Sequence, residues 1–190
     1  MTELIYPSSP APLLSGGKRA RAVEMLPIVD EYGNVRAQAS REYCHTHPSQ
    51  PLHPVAHLHI INRKGEIYLQ RRGPGKDLLP LYWDTAVGGH VSYGESFLEA
   101  LYREAREELG LHDFLPQWLC TYVFEGMAER ELVNVFAAVG EYDIRPDPGE
   151  LAGGRFWTTE EIEGTMGKGI LTPNFESEYY RIKDALLALL

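Results

Sequence analysis

Residues 88–111, GGHVSYGESFLEALYREAREELGL, constrain the fold more than any other part of the chain. Gly88 and Gly89 allow the backbone to approach another group closely. A helix is expected from about Glu95 to Leu109, stopped by Gly110. On a helix of about 3.6 residues per turn, Leu98, Leu101, Tyr102, Ala105 and Leu109 share one arc, the expected core stripe. Five glutamates, Glu95, Glu99, Glu104, Glu107 and Glu108, face only two arginines, Arg103 and Arg106. Glu104, Glu107 and Glu108 lie at i, i+3 and i+4 on a neighbouring arc, where like charges weaken a helix by about 0.2–0.5 kcal/mol per pair. A divalent cation reverses that penalty, since Mg²⁺ and Mn²⁺ take hard oxygen ligands. The competing reading is a solvated acidic face. Two features favour a ligand: the glycine pair before the helix, and Arg103, which can fix a carboxylate through two hydrogen bonds.

The rest of the chain surrounds this helix with hairpins. EMLPIVDEYGNVRAQASR reads as two strands about a turn at Tyr32-Gly33-Asn34, and HLHIINRKGEIYLQRR as two about Arg63-Lys64-Gly65. WDTAVGGHV reads as one further strand. Strands are expected near Leu119–Phe124, Leu132–Val139 and Gly154–Trp157, with a short helix from Thr159 and a last amphipathic helix over Asn174–Leu190. The pattern predicts an α+β domain whose mixed sheet lies between helices. Residues 1–24 read as a flexible arm and 25–190 as the domain. The apolar end DALLALL packs on its own sheet or on a second subunit, which leaves a homodimer open.

A net charge of −9 argues against a non-specific nucleic-acid binder. It is compatible with a phosphate substrate held through metal. Cys44 and Cys120 form no CxxC pair and are expected to be reduced thiols. No apolar run approaches the roughly 18 residues of a membrane span, and the N-terminus lacks a signal-peptide centre. The expected setting is cytoplasmic.

Gly89, five residues, Glu95, seven residues, Arg103-Glu104, Ala105-Arg106, Glu107-Glu108 and Leu109-Gly110-Leu111 resemble the Nudix box at every position. That family hydrolyses nucleoside diphosphates linked to another group, on an α/β/α sandwich, with divalent metal. The resemblance implies Mg²⁺ or Mn²⁺ bound by Glu104, Glu107, Glu108 and the Gly88 carbonyl, with one of the three glutamates a candidate base. Gly89, Glu95, Arg103 and Gly110 would be structural.

A second likeness overlaps the first. His45, His47, His53, His57 and His59 crowd into 15 residues, and His90 lies inside the box. PLHPVAHLHIINRKGEIYLQRR, then Lys76, Pro80 and WDTAVGGHV, resembles the type 1 isopentenyl diphosphate isomerases, which share the Nudix fold. So do Glu129-Arg130-Glu131 before VFAA and the late TPNF. These enzymes hold metal with three histidines and two glutamates. The implied set is His47, His53, His90, Glu129 and Glu131, with His45 the alternative to His47. Arg71, Arg72 and Lys76 resemble their diphosphate-binding group. Tyr82, Trp83, Tyr93, Phe97 and Phe124 are candidates to stack a base or line an apolar pocket.

The departure from that branch is at residue 88. An isomerase places its catalytic cysteine there, two before the matching histidine, and this chain has Gly88. Glycine can neither deliver nor remove the proton that allylic isomerisation requires. The expectation is therefore an isomerase-like Nudix hydrolase acting on a small-molecule diphosphate. The alternatives are an isomerase, opposed by Gly88, and a non-catalytic nucleotide-binding domain, opposed by the complete set of box glutamates.

Overall fold

The computed structural model describes residues 23–76, 78–126 and 129–190. The expected arm, 1–24, lies outside the described residues except for Val23 and Glu24. In chain order the elements are strands β1 (Met25–Val29) and β2 (Val35–Ser40), helix α1 (Arg41–Thr46), strands β3 (His53–Ile61), β4 (Ile67–Arg72), β5 (Trp83–Asp84) and β6 (Val87–His90), helix α2 (Phe97–Leu109), strands β7 (Gln117–Glu125), β8 (Arg130–Val139) and β9 (Leu151–Trp157), and helices α3 (Thr159–Thr165) and α4 (Pro173–Leu187).

β3 is the spine of a seven-stranded mixed sheet, ordered β5-β4-β3-β8-β7, with β6 also on β3 and β9 also on β4. It runs parallel to β8 and antiparallel to β6 and β4. All nine of its residues are buried, as a strand covered on both faces requires. Successive side chains point to opposite faces. Ala56, Leu58 and Ile60 therefore join Ala100, Leu101, Ala105 and Leu109 of α2. Val55 and Ile61 join Phe175, Tyr179, Ile182 and Leu186 of α4 on the other side. This is the α/β/α sandwich. β1 and β2 form a separate hairpin with the expected turn, and Val29 packs on Leu52 and Leu132. α4 buries its apolar stripe on its own sheet, so this helix does not argue for a second subunit.

Three expectations change. WDTAVGGHV is two strands, because the chain leaves the β4 edge after Asp84 and rejoins the sheet on β3 at Val87. α1 was not expected. The α2 stripe is rotated: Leu98 and Tyr102 are 47% and 38% exposed, while Ala100 and Glu108 are buried. The apolar arc was real, but the buried arc is the one that places box carboxylates against the sheet.

α2 starts at a capping box. The Ser96 side chain accepts from the Glu99 N–H at 3.3 Å, and Glu99 accepts from the Ser96 N–H at 2.8 Å. Gly110 ends the helix in the left-handed conformation, φ 61°, with its N–H donating to the Arg106 carbonyl. Ser96→Ala is expected to cost about 1 kcal/mol in chemical denaturation, the usual loss for an N-cap.

Candidate active site

Arg103 on α2 fastens the glycine-rich loop to the helix. Its Nε and Nη2 donate to the two Glu95 oxygens, both at 2.8 Å. Nη2 also donates to the His90 carbonyl at 2.9 Å, and Nη1 to Glu104 Oε1 at 2.6 Å. Glu95 accepts the Ser92 N–H at 3.0 Å. Burial works against the Glu95 anion, but the Arg103 hydrogen bond, the Ser92 bond and the Arg103 charge outweigh it and lower its pKa. Glu95 in turn holds the Arg103 guanidinium charged.

Gly89 must be glycine for a steric reason. A Cβ there would stand 2.2 Å from Glu104 Cγ and Cδ. The Glu104 carboxyl lies directly on this backbone. The three box glutamates differ in setting. Glu107 is open, its side chain 55% exposed and 3.5 Å from Arg103. Glu104 is largely covered, and burial raises its pKa against the pull of Arg103. Glu108 is 7% exposed, with Gln70 Nε2 donating to its Oε2 at 3.4 Å. Burial, then the Glu104 charge, push Glu108 up to about 8, although Lys76 pulls the other way. Two covered carboxylates without enough positive charge around them form a donor set suited to a divalent cation.

A second cluster lies on the α4 face. His45 Nε2 and His90 Nε2 are 3.0 Å apart. One ring nitrogen each from His45, His53 and His90 falls within 4.8 Å of the other two. His53 Nδ1 lies 2.9 Å from the Pro51 carbonyl and donates to it, so Nε2 carries the lone pair. That Nε2 is buried and has no hydrogen-bond partner. Burial lowers the pKa of both His53 and His90, which keeps them neutral as metal ligands must be. Glu129 Oε2 lies 3.4 Å from His45 Nδ1. Three converging imidazoles with one orphaned lone pair fit a transition-metal site.

His45, not His47, joins this group. α1 ends at Thr46, and the extended backbone at His47 turns its ring away, to stack on Tyr43 at 4.5 Å and bond Ser49 Oγ at 2.7 Å. Glu131 is next to His53 in the β3–β8 ladder but accepts from Asn174 Nδ2 at 3.3 Å. Burial, then the Glu129 charge, push it up to about 8. The basic residues are not free either. Arg71 Nε donates to the Leu81 carbonyl. Arg72 holds the Leu78 carbonyl and Asp84 Oδ2, the latter at 3.0 Å. Lys76 pairs with Glu150 at 2.6 Å. They brace the 73–82 loop. Trp83 sits edge-on to Trp157, and Phe124 packs partly buried against the α4-side core.

A third constellation escaped the sequence. Glu178 of α4, fully buried, sits 2.9 Å from His57 Nδ1 through Oε2 and 2.6 Å from His59 Nε2 through Oε1. Tyr122 donates to Oε2 at 2.8 Å. Burial opposes the anion, yet the His57 charge and the histidine hydrogen bonds hold Glu178 well below the usual carboxylate range. Burial pulls His57 down, but Glu178, then Glu131 and Asp84, carry it up to about 9. The available signal was a glutamate on the apolar stripe of α4, between Phe175 and Ile182.

Glu108 makes stability depend on pH. Its folded pKa, about 8, lies above the ordinary 4.5, so the folded chain holds the proton more tightly. Stability therefore falls as pH rises through that window. In chelator, Glu108→Gln is expected to melt above wild type at pH 8 by at least about 2–4 °C, the shift that roughly 1 kcal/mol gives at this size. The gap closes toward pH 5, and Mg²⁺ raises the wild-type melting temperature at pH 8.

Residues 51–175 match the NUDIX domain family. An uncharacterized Nudix hydrolase of Listeria monocytogenes is 30% identical over 138 residues, covering 70% of this chain and 80% of that one. An isopentenyl-diphosphate Delta-isomerase of Streptomyces griseus is 31% identical over 164 residues, covering 82% of each. The crystal structure of DR0079 from Deinococcus radiodurans superposes with a TM-score of 0.71 at 26% identity, over 83% of this chain and 98% of that one.

Proposed function

This chain belongs to the NUDIX family and is a Nudix-type pyrophosphohydrolase, and from that premise we propose that it cleaves, with divalent metal, a diphosphate linkage in a nucleoside diphosphate derivative or a related organic diphosphate. The observation that carries this reading is the pair of covered carboxylates: Glu104, fixed beside Gly89 by the Arg103 clamp, and Glu108, buried one helical turn further on and bonded by Gln70. Glu104, Glu107, Glu108 and the Gly88 carbonyl would hold Mg²⁺ or Mn²⁺. Bound there, the cation supplies charge neutralisation of the diphosphate and polarises the group under attack.

The chain's own residues do the rest. Arg103 keeps the loop at a fixed distance from the helix, so the carboxylates meet substrate without rearrangement. Glu108, the box glutamate whose pKa burial raises furthest, is suited to take a proton from the attacking water at an Oε atom. Gln70 orients that carboxylate from behind. Glu107, at the rim, is placed to meet an incoming ligand. A cytoplasmic setting accords with two free cysteines. No helix of the described residues is long and apolar enough to cross a membrane.

The histidine cluster favours a second, isomerase-like reading, and several relatives carry that name. Gly88 opposes it, because no thiol stands at that position. We therefore assign His45, His53 and His90, with Glu129, to a second metal, and the nitrogen-rich donor set suits Zn²⁺, Mn²⁺ or Fe²⁺ better than Mg²⁺.

Purified protein assayed with Mg²⁺ and Mn²⁺ on nucleotide and isoprenoid diphosphates is expected to release phosphate or nucleotide from at least one. Glu108→Gln should lower that rate by roughly 10²–10⁴-fold, the range for general acid–base groups. An undiminished rate sinks the assignment. Elemental analysis should find a transition metal in wild type and less of it in His53→Ala; equal content in both removes the histidine site.

A further inference from the structure

His57 has no task in the reaction outlined above, yet it is held more tightly than most side chains. It stands opposite Gly88 in the β3–β6 ladder, on the α4 face. Its Nδ1 is fixed by the buried Glu178 carboxylate, which His59 and Tyr122 hold from other sides. Turning the ring would leave a buried acid short of a donor. The other nitrogen is open. His57 Nε2 makes no hydrogen bond among the described residues, and unlike His53 Nε2 and His59 Nδ1 it is not sealed from solvent. It faces the position that a side chain at residue 88 would occupy. A Cβ there would lie 3.4 Å from His57 Cδ2 and Nε2 and 3.6 Å from Thr85 Cγ2. The next residue, Gly89, carries the Glu104 carboxyl on the α2 face of the same strand, so a compound crossing the Gly88-Gly89 end of β6 would come within reach of both.

A buried polar assembly of this kind costs desolvation and is commonly no more stabilising than apolar packing. It does supply a hydrogen-bonding atom locked in place beside a residue with no side chain, as a binding group requires. We propose that His57 is a substrate-binding residue whose Nε2 hydrogen-bonds an oxygen of the diphosphate compound where that compound passes over Gly88, with Glu178 positioning the ring. The inference rests on the hydrolase reading and assigns it a contact outside the box.

The test uses a compound that wild type hydrolyses. In His57→Asn the amide reproduces the Nδ1 donor to Glu178 and leaves nothing at Nε2. KM is expected to rise roughly tenfold or more, the effect of a lost hydrogen bond to a charged group, with kcat within about threefold. The melting temperature should hold. Calorimetric titration of the same compound into the Glu108→Gln background, with and without His57→Asn, should show the same loss in Kd. His57→Gln, which reaches toward the Nε2 position but gives up the Glu178 bond, should melt lower and recover part of KM. Glu178→Gln, acting only through the ring, should shift KM in the same direction and add nothing in the double variant. Gly88→Ala places a methyl against His57 Nε2 at ordinary contact distance, and should raise KM at unchanged stability.

A purely structural His57 predicts the reverse: normal KM and Kd in His57→Asn and in Gly88→Ala, which overturns the proposal. Should His57→Asn fail to fold, Gly88→Ala decides alone. If wild type turns over no compound, the hydrolase reading falls and takes the inference with it; a working wild type with normal KM in both variants removes only the inference.

Discussion

The arrangement depends on β3 being covered on both faces. Strand pairing on each side leaves its backbone no freedom, and the two-residue alternation then sorts its side chains without exception. The even positions Ala56, Leu58 and Ile60 are small or aliphatic and bring α2 down onto the sheet. The odd positions His53, His57 and His59 are aligned toward α4; His57 and His59 share the Glu178 carboxylate, while His53 holds the Pro51 carbonyl. One strand thus separates a carboxylate site from an imidazole site. A slip of one residue would exchange the two faces and destroy both.

Charge is distributed to match. On the α2 side, loss of water on burial raises the pKa of Glu104, against the pull of Arg103, and of Glu108, where the Glu104 charge adds to it. On the α4 side, Glu178 is buried more completely but is fully partnered and remains an anion. Both are buried glutamates, and the number of donors around each decides its state. The under-compensated pair is the one that needs a cation, while the compensated one holds another side chain still. Arg103 belongs to the first group but spends its donors on Glu95, Glu104 and the His90 carbonyl. It therefore fixes geometry without cancelling the negative charge of the site.

Local chemistry made much of this legible. The two hairpin turns and the stop at Gly110 each lie within a few residues, and the Glu95–Arg103 partnership, implied by the resemblance, spans only the turns at the start of one helix. Misreadings arose where the outcome depends on distant partners. Leu98 and Tyr102 form an apolar arc, but the sheet meets the neighbouring arc. His47 looked equivalent to His45 until an unforeseen helical turn separated them. Arg71, Arg72 and Lys76 read as diphosphate-binding candidates, and their partners, the Leu81 and Leu78 carbonyls, Asp84 and Glu150, are distant or irregular in sequence and meet them only in the fold.

The sequence by itself determined the family, the layered architecture and the acidic helix, since each follows from spacing within a short window. Which histidines converge, which glutamates are buried and that Glu178 reaches His57 were decided only by tertiary structure. Those two residues are 121 positions apart. No local periodicity encodes such a contact: it exists because α4 packs across β3, and burial then makes a hydrogen bond between them obligatory.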